Sequence, residues 1–276
     1  MAGGIRVQIP GGLESDGFID RQVILKPITG YLEQLLLESI EAAGNLPAQV
    51  SYVLGDALAW IGRHEASATV ASRLCVADRQ YLMLRLAQLF EGDQIWLRPK
   101  CAACDKLFDV GLLRSQLPVQ DAGPDFPYAN LNLGNHEIKL RVPTGADQEK
   151  IAHLPPDKAL IQLLKMCIEA INPPISVDEL VASLVTVDID QIDAVLEASS
   201  PAMCTTIMTR CPECSKEQTV TLDPYDIIHQ RGDGFYQQVH AIAYHYHWSE
   251  TEILSLPRNR RLRYLRYIDK AQGVHS

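Results

Sequence analysis

Apolar positions along the chain change period several times, and each change marks an element. In residues 5–27, Ile5, Val7 and Ile9 alternate with polar neighbours, Gly11-Gly12 breaks the run, and Val23-Leu25 resumes it up to Pro27. A period of two reads as short strands. The period then lengthens: Leu32, Leu35, Leu36 and Ile40 recur at helical spacing, which predicts a helix over about 30–43 that ends at Gly44-Asn45. Pro47 suits the first turn of a second helix, whose apolar stripe is Val50, Val53, Leu54, Leu58 and Ile61. A third helix over about 77–90 carries Tyr81, Leu82, Leu84, Leu86, Leu89 and Phe90. It is apolar over a wide arc, which predicts a central element.

After Gly92-Asp93, residues 95–98 read as a strand that returns at 107–110, followed by a Pro-rich loop over 116–127. Residues 130–142 alternate around Gly134-Asn135 and predict a hairpin. Helices are expected near 146–153, 157–171, 177–185 and 188–199, a strand over 218–222, and helices over about 225–247, 250–255 and 258–271. The resulting expectation is an α+β fold, mostly α-helical, with a zinc ribbon of two CxxC hairpins and a helical insert between them. Its parts would be N-terminal strands and a helical domain (1–100), the ribbon (95–115 and 205–224), an inserted hairpin with helices (125–200) and C-terminal helices (225–276).

Composition narrows the function. Hydrophobic residues make up 47% and charged residues 21% of the 276, ordinary values that exclude general disorder. The formal net charge of -9 disfavours broad binding to nucleic acid or anionic lipid. No apolar run reaches membrane-spanning length and no secretory signal opens the chain, which predicts a soluble protein made in the cytosol. Cysteine is present seven times, an odd number, and four of the seven form two CxxC pairs, which in a reducing compartment points to metal or redox chemistry rather than a disulfide framework.

Those pairs are Cys101 with Cys104 and Cys211 with Cys214. A CxxC turn lets two thiolates meet one metal, and zinc takes four such ligands in a tetrahedron. Pro212 pre-sets φ for the second turn. The pairs are 106 residues apart (105–210), far more than in a single small finger, so one shared Zn2+ requires the middle of the chain to be inserted between two hairpins. The redox reading calls for a CxxC at a helix N-terminus, and neither pair opens a helical pattern. Cys75, Cys167 and Cys204 lie in apolar contexts and read as buried free thiols, with Cys204 also near enough in sequence to be a minor ligand candidate.

His240, His245 and His247 share one predicted helix and offer a second, weaker ligand set. Arg258, Arg260, Arg261, Arg263 and Arg266 are interleaved with Tyr264 and Tyr267. That segment reads either as a docking surface for an acidic partner, as a nucleic-acid patch, or as an amphipathic helix whose arginines pair with the chain's own carboxylates. Signatures for serine hydrolases, zinc proteases, P-loops and dinucleotide sites are absent, which argues against an enzyme.

Three stretches stand out in order along the chain. The first is Leu74–Leu86 with Asp78-Arg79 opening a Leu-rich helix, then Phe90-Glu-Gly92-Asp93 and Cys101-Ala-Ala-Cys104. The second is Leu140-Arg-Val-Pro-Thr-Gly145-Ala-Asp147. The third is Cys211-Pro-Glu-Cys214, Val239-His-Ala-Ile-Ala243, Trp248-Ser-Glu250, Leu256-Pro257 and Arg260–Leu265. In this order the three resemble the T4-type baseplate proteins of contractile phage tails and related injection systems. The resemblance implies a non-enzymatic subunit that contacts other baseplate, hub or tail-tube proteins, assembles in the bacterial cytoplasm and takes a place in the virion or injection particle. The competing readings are a zinc-ribbon adaptor that binds nucleic acid or a transcription factor, and a thiol oxidoreductase.

Overall fold

The structure, a computed structural model, describes residues 4–229 and 233–273. The chain opens with β1 (Ile5–Ser15) and β2 (Phe18–Leu25), then α1 (Gly30–Ala42), α2 (Leu46–Ala57), β3 (Leu58–Ile61), β4 (His64–Glu65), α3 (Ala68–Ser72) and α4 (Val76–Glu91). β5 (Gln94–Leu97) and β6 (Val110–Leu113) flank the first CxxC, and β7 (Val119–Gln120) follows. The middle holds β8 (Tyr128–Leu133), β9 (His136–Arg141), α5 (Gly145–Ile151), α6 (Pro156–Cys167), β10 (Ile168–Asn172), α7 (Val177–Ser183) and α8 (Thr186–Ser199). Then come β11 (Ala202–Met203), β12 (Thr206–Arg210), β13 (Glu217–Thr221), α9 (Asp226–His229), α10 (Asp233–Tyr246), α11 (Glu250–Ser255) and α12 (Arg258–Ala271).

The architecture corrects the expected fold class. Among the described residues it is mixed, 47% helix and 26% strand over five small sheets, and not a mostly helical chain around a zinc ribbon. Among the described residues β5 pairs only with β6 and β12 only with β13, so the cysteine hairpins share no sheet there. The stretch between them is not a helical insert either, because β8, β9 and β10 form an antiparallel sheet there. The physical reason is pairing. Leu58 and Ile61 extend the apolar stripe of α2 in sequence, yet the chain turns into β3 and pairs with β2. Likewise Ile168–Asn172 leaves α6 to pair with β9, aligning Ile168 with Leu140 and Ile171 with Ile138. Short apolar runs fit either period, and tertiary pairing decides. The helix expected over 225–247 appears as α9 and α10; residues 230–232 of that range lie outside the described residues.

Three apolar cores carry most of the packing. Sheet β1–β4 with α1, α2 and α4 buries Ile9, Val23, Leu54, Leu58, Leu82 and Leu86, among others. Sheet β8–β10 with α6–α8 buries Ile138, Leu140, Leu164 and Ile192. The helices α10–α12 bury Val239, Ile242, Ile253 and Ile268. Burying each such side chain is worth about 1.5–3 kcal/mol of transfer free energy.

Buried polar clamps join distant segments. The irregularity in β1 between Gln8 and Leu13 leaves the Gly11 and Gly12 amides outside the ladder, and they donate to the Asp78 carboxylate at 2.8 and 2.7 Å. Burial of that carboxyl raises its pKa above the usual value, against the pull of the two amides. The neighbouring Arg79, fully buried, donates to Ser51 Oγ (2.7 Å), to the Ala71 carbonyl (3.2 Å) and to the Pro47 carbonyl (2.6 Å). Gly145 packs directly over its guanidinium: a Cβ there would sit 2.1 Å from Arg79 Nη1. Arg141 at the end of β9 grips Asp147 of α5 with both Nη atoms and reaches the Met166 carbonyl and Glu169.

Candidate metal centre

Both cysteine hairpins lean on α4. Leu84 of α4 packs with Ile95 of β5 and Leu222 beyond β13. Anchoring the strands at one end brings the two turns together at the other. Each turn is built the same way. The Cys101 amide donates to the Lys106 carbonyl (2.8 Å) and the Asp105 amide to the Cys101 carbonyl (3.0 Å). The Cys211 amide donates to the Lys216 carbonyl (3.0 Å) and the Ser215 amide to the Cys211 carbonyl (2.9 Å). Asp105 and Ser215, each just after the second cysteine, take φ of 59° and 61°. This left-handed step turns the chain back into its returning strand. A cross-turn bond joins the Ala102 amide to Gln218 Oε1 at 3.2 Å.

The four sulfurs lie within 4.8 Å of one another, with Cys101 Sγ 3.6 Å from Cys214 Sγ and Cys104 Sγ 3.7 Å from Cys211 Sγ. A tetrahedron with metal–sulfur bonds of about 2.3 Å has sulfur–sulfur edges of about 3.8 Å. The same separations exclude a disulfide, whose sulfurs lie about 2.05 Å apart, and all four thiols are free. The centre is half sheltered: Cys101 and Cys211 are buried with Phe108 and Val110, Cys104 is half-buried and Cys214 is exposed. The Ala103 and Cys104 amides draw the Cys101 thiol down to about 6. Cys104 gains from the Lys106 amide, but burial and the neighbouring thiols outweigh it and hold this thiol up at about 12. The Lys216 amide pulls the Cys214 thiol down, but desolvation beside the other sulfurs and its contacts with Cys101 and Cys211 outweigh it, so this thiol is raised. One thiolate is favoured and the next opposed, the pattern of closely packed sulfurs. The donor set therefore fits a thiophilic metal ion.

Neither CxxC opens a helix; each leads into a turn and a strand. The helix dipole that activates a redox thiol is absent at both. The remaining cysteines divide. Cys75 and Cys167 are buried as expected, whereas Cys204 is exposed, its Sγ directed at the Thr206 carbonyl, and it is not among the clustered sulfurs. His240 stacks on Tyr244, His245 Nε2 lies 3.0 Å from Gln272 Nε2, and among the described residues no histidine joins a metal-ligating group.

The basic helix forms over Arg258–Ala271, preceded by α11 with the Ser249–Glu252 capping box. Its arginines split between two faces. Arg258 and Arg261 turn inward onto Glu33 of α1; Arg261 is 0% exposed and its Nη2 lies 2.6 Å from Glu33 Oε1, while Arg258 Nη1 takes Oε2. Arg258 Nε also donates to the Phe90 carbonyl at 2.8 Å. Buried beneath the helix, Arg261 offers nothing to an outside partner. Tyr264 is half-buried against Tyr246 and Trp248. Arg260, Arg263, Arg266 and Tyr267 face solvent. Glu33 was not singled out by the sequence; the signal lay in α12 itself, where Arg258 and Arg261 share the side of the helix that holds Leu265 and Ile268.

No curated protein and no solved structure matches the chain. The sequence profile described as T4 bacteriophage base plate protein matches residues 15–226. That span holds both cysteine pairs and the clamps at Asp78, Arg79, Arg141 and Asp147, while the similar residues from Val239 to Leu265 lie beyond it. With most of its length covered, the chain belongs to the T4 bacteriophage base plate protein family.

Proposed function

We propose that this protein is a non-enzymatic structural or assembly subunit of a contractile-tail baseplate, in which Cys101, Cys104, Cys211 and Cys214 hold one Zn2+ as a scaffold. The observation that carries the metal assignment is the convergence of four free thiols, from two hairpins distant in sequence, at tetrahedral spacing. A four-sulfur set leaves no open coordination position for a substrate, which supports a structural role. The metal would fix the tips of β5–β6 and β12–β13 to each other. The separate apolar core of β8–β10 and α6–α8 supports reading 125–200 as an inserted unit. Partners would be other baseplate, hub or tail-tube proteins, met in part through the outward face of α12 with Arg260, Arg263, Arg266 and Tyr267. Assembly would take place in the bacterial cytoplasm. Among the described residues no helix is long and apolar enough to cross a membrane.

The test has two arms. Elemental analysis of the purified protein should find zinc at close to one per chain, with thiols that react slowly until a chelator is added. Zinc-free protein with fast thiols and unchanged melting would overturn the metal reading. Co-expression with the tube, hub and other baseplate proteins of the same tail should yield a complex that survives purification; a chain that emerges alone would overturn the reading of these proteins as its partners.

A further inference from the structure

The outward stripe of α12 is cationic and unused. Arg263, Arg266 and Lys270 follow one another at i, i+3 and i+7, all exposed, and among the described residues none makes an ion pair. Arg260 and the 63% exposed Tyr267 flank them. Such a row on an acidic chain would ordinarily be neutralised by nearby carboxylates; here Glu33 is already taken by the two inward arginines.

A matching anionic row stands on α8. Asp190, Asp193 and Glu197 are exposed, have no ion pair among the described residues, and repeat the same i, i+3, i+7 spacing. Asp193 and Glu197 also rim a groove of about 770 Å³ between α8 and the start of α4, floored by Val76, Pro143 and Met203. The groove is thus apolar at its base and acidic at its edge, which suits a helix with a cationic stripe and aromatic flank.

Among the described residues no ion pair joins the two rows within one molecule. The groove touches α4 at Cys75, Val76 and Ala77, while α12 is tied to its far end through Arg258 and the Phe90 carbonyl. α4 has 16 residues, so those ends are about 24 Å apart. Complementary rows on different elements, unpaired with each other within one molecule, describe a head-to-tail contact between copies.

We propose that α12 of one copy docks on the α8 groove of a second copy, pairing Arg263, Arg266 and Lys270 with Asp190, Asp193 and Glu197. This rests on the reading of α12 as a docking surface and names the occupant. The contact is heterologous, so it propagates into a ring or chain of subunits and its strength falls with ionic strength.

Sedimentation velocity on the full chain tests it, with melting curves to show that each variant folds. Wild type should self-associate in about 50 mM salt and dissociate on raising salt to about 500 mM, where the screening length drops several-fold. R263E/R266E/K270E and D190K/D193K/E197K should each weaken association about tenfold or more. Mixing the two variants should restore it, because each retains the face the other has lost. Wild type that stays monomeric, association indifferent to either reversal, or a mixture no better than its components would each overturn the proposal. So would salt-sensitive binding of α12 to a DNA duplex without self-association. If the α12 reversal blocks capture of neighbouring tail proteins yet leaves self-association unchanged, docking through α12 stands and the second-copy assignment fails.

Discussion

Removing the Glu33 carboxylate should be among the most damaging single changes outside the apolar cores. The side chain is 6% exposed and serves two guanidinium groups at once. Arg261 depends on it most: this residue is fully buried, and among the described residues its Nε and Nη1 have no hydrogen-bond partner. Its other neighbours are the Phe235 ring, 5.1 Å from Cζ, and the backbone at Gly30, where a Cβ would stand 3.0 Å from Nη1. Glu33→Ala therefore leaves a buried cation without a counter-charge. Breaking a buried pair in this way costs about 3–5 kcal/mol. At about 2–4 °C per kcal/mol for a chain of this size class, melting should fall by about 6–20 °C. Added salt should not change the decrement, since solvent ions do not reach the pair.

The partner experiment separates charge burial from packing. Glu33→Leu with Arg261→Met removes both charges and keeps comparable volume, and such replacements are often neutral or stabilising. The double variant should recover most of the loss, although Arg258 then loses its carboxylate and turns toward solvent. Calorimetry and urea denaturation report both numbers. A drop of under about 2 °C for Glu33→Ala, or a double variant no more stable than the single one, would refute the argument that this pair clamps α12 to α1.

Other consequences are open to direct measurement. Chelation, or Cys214→Ser, should speed amide exchange in β5–β6 and β12–β13 while β1–β4, which packs on its own core, stays protected; equal loss everywhere would show that the metal supports the whole fold. Gly145→Ala should cost about 1–3 kcal/mol in a urea titration, because the new methyl overlaps a guanidinium held by three hydrogen bonds. Asp147 has its pKa lowered: burial opposes the shift, but Arg141 and Thr144 outweigh it. A carboxylate depressed on folding contributes stability that is complete above its unfolded value near 4 and is lost as pH falls through the folded one. Acid melting between about pH 4 and 2 should therefore be shallower for Asp147→Asn than for wild type.

How much of this was legible beforehand depended on whether the deciding partner was local. The β8–β9 hairpin was, since Gly134-Asn135 and strict alternation specify both turn and register. The Ser249–Glu252 box was, because a capping box closes within four residues. The clustering of the four cysteines was legible because ligand chemistry names its own partners: two CxxC turns are each shaped to share an ion, which points their sulfurs at one another wherever the chain carries them. β3 and β10 were not, since their few apolar residues fit the tail of a helix as well as a strand until β2 and β9 supply ladders.

Charge was the least legible property, for a related reason. A carboxylate or guanidinium has no intrinsic place in the fold; its position is fixed by an opposite charge that can lie anywhere in sequence. Glu33 and Arg261 are 228 positions apart and become a pair only when α1 meets α12. Within α12 the helical period still divides the arginines: two fall on the side of Leu265 and Ile268 and must find a buried acceptor, while Arg263, Arg266 and Lys270 fall opposite. The period is therefore local information, and it says which charges are turned in and which are turned out. What it leaves out is the identity of the acceptor. Inside the molecule α1 supplies it. For the outward row the same chain carries an equally spaced acidic row on α8, with which it makes no ion pair among the described residues, and the proposed contact between copies would supply that acceptor from a neighbouring molecule.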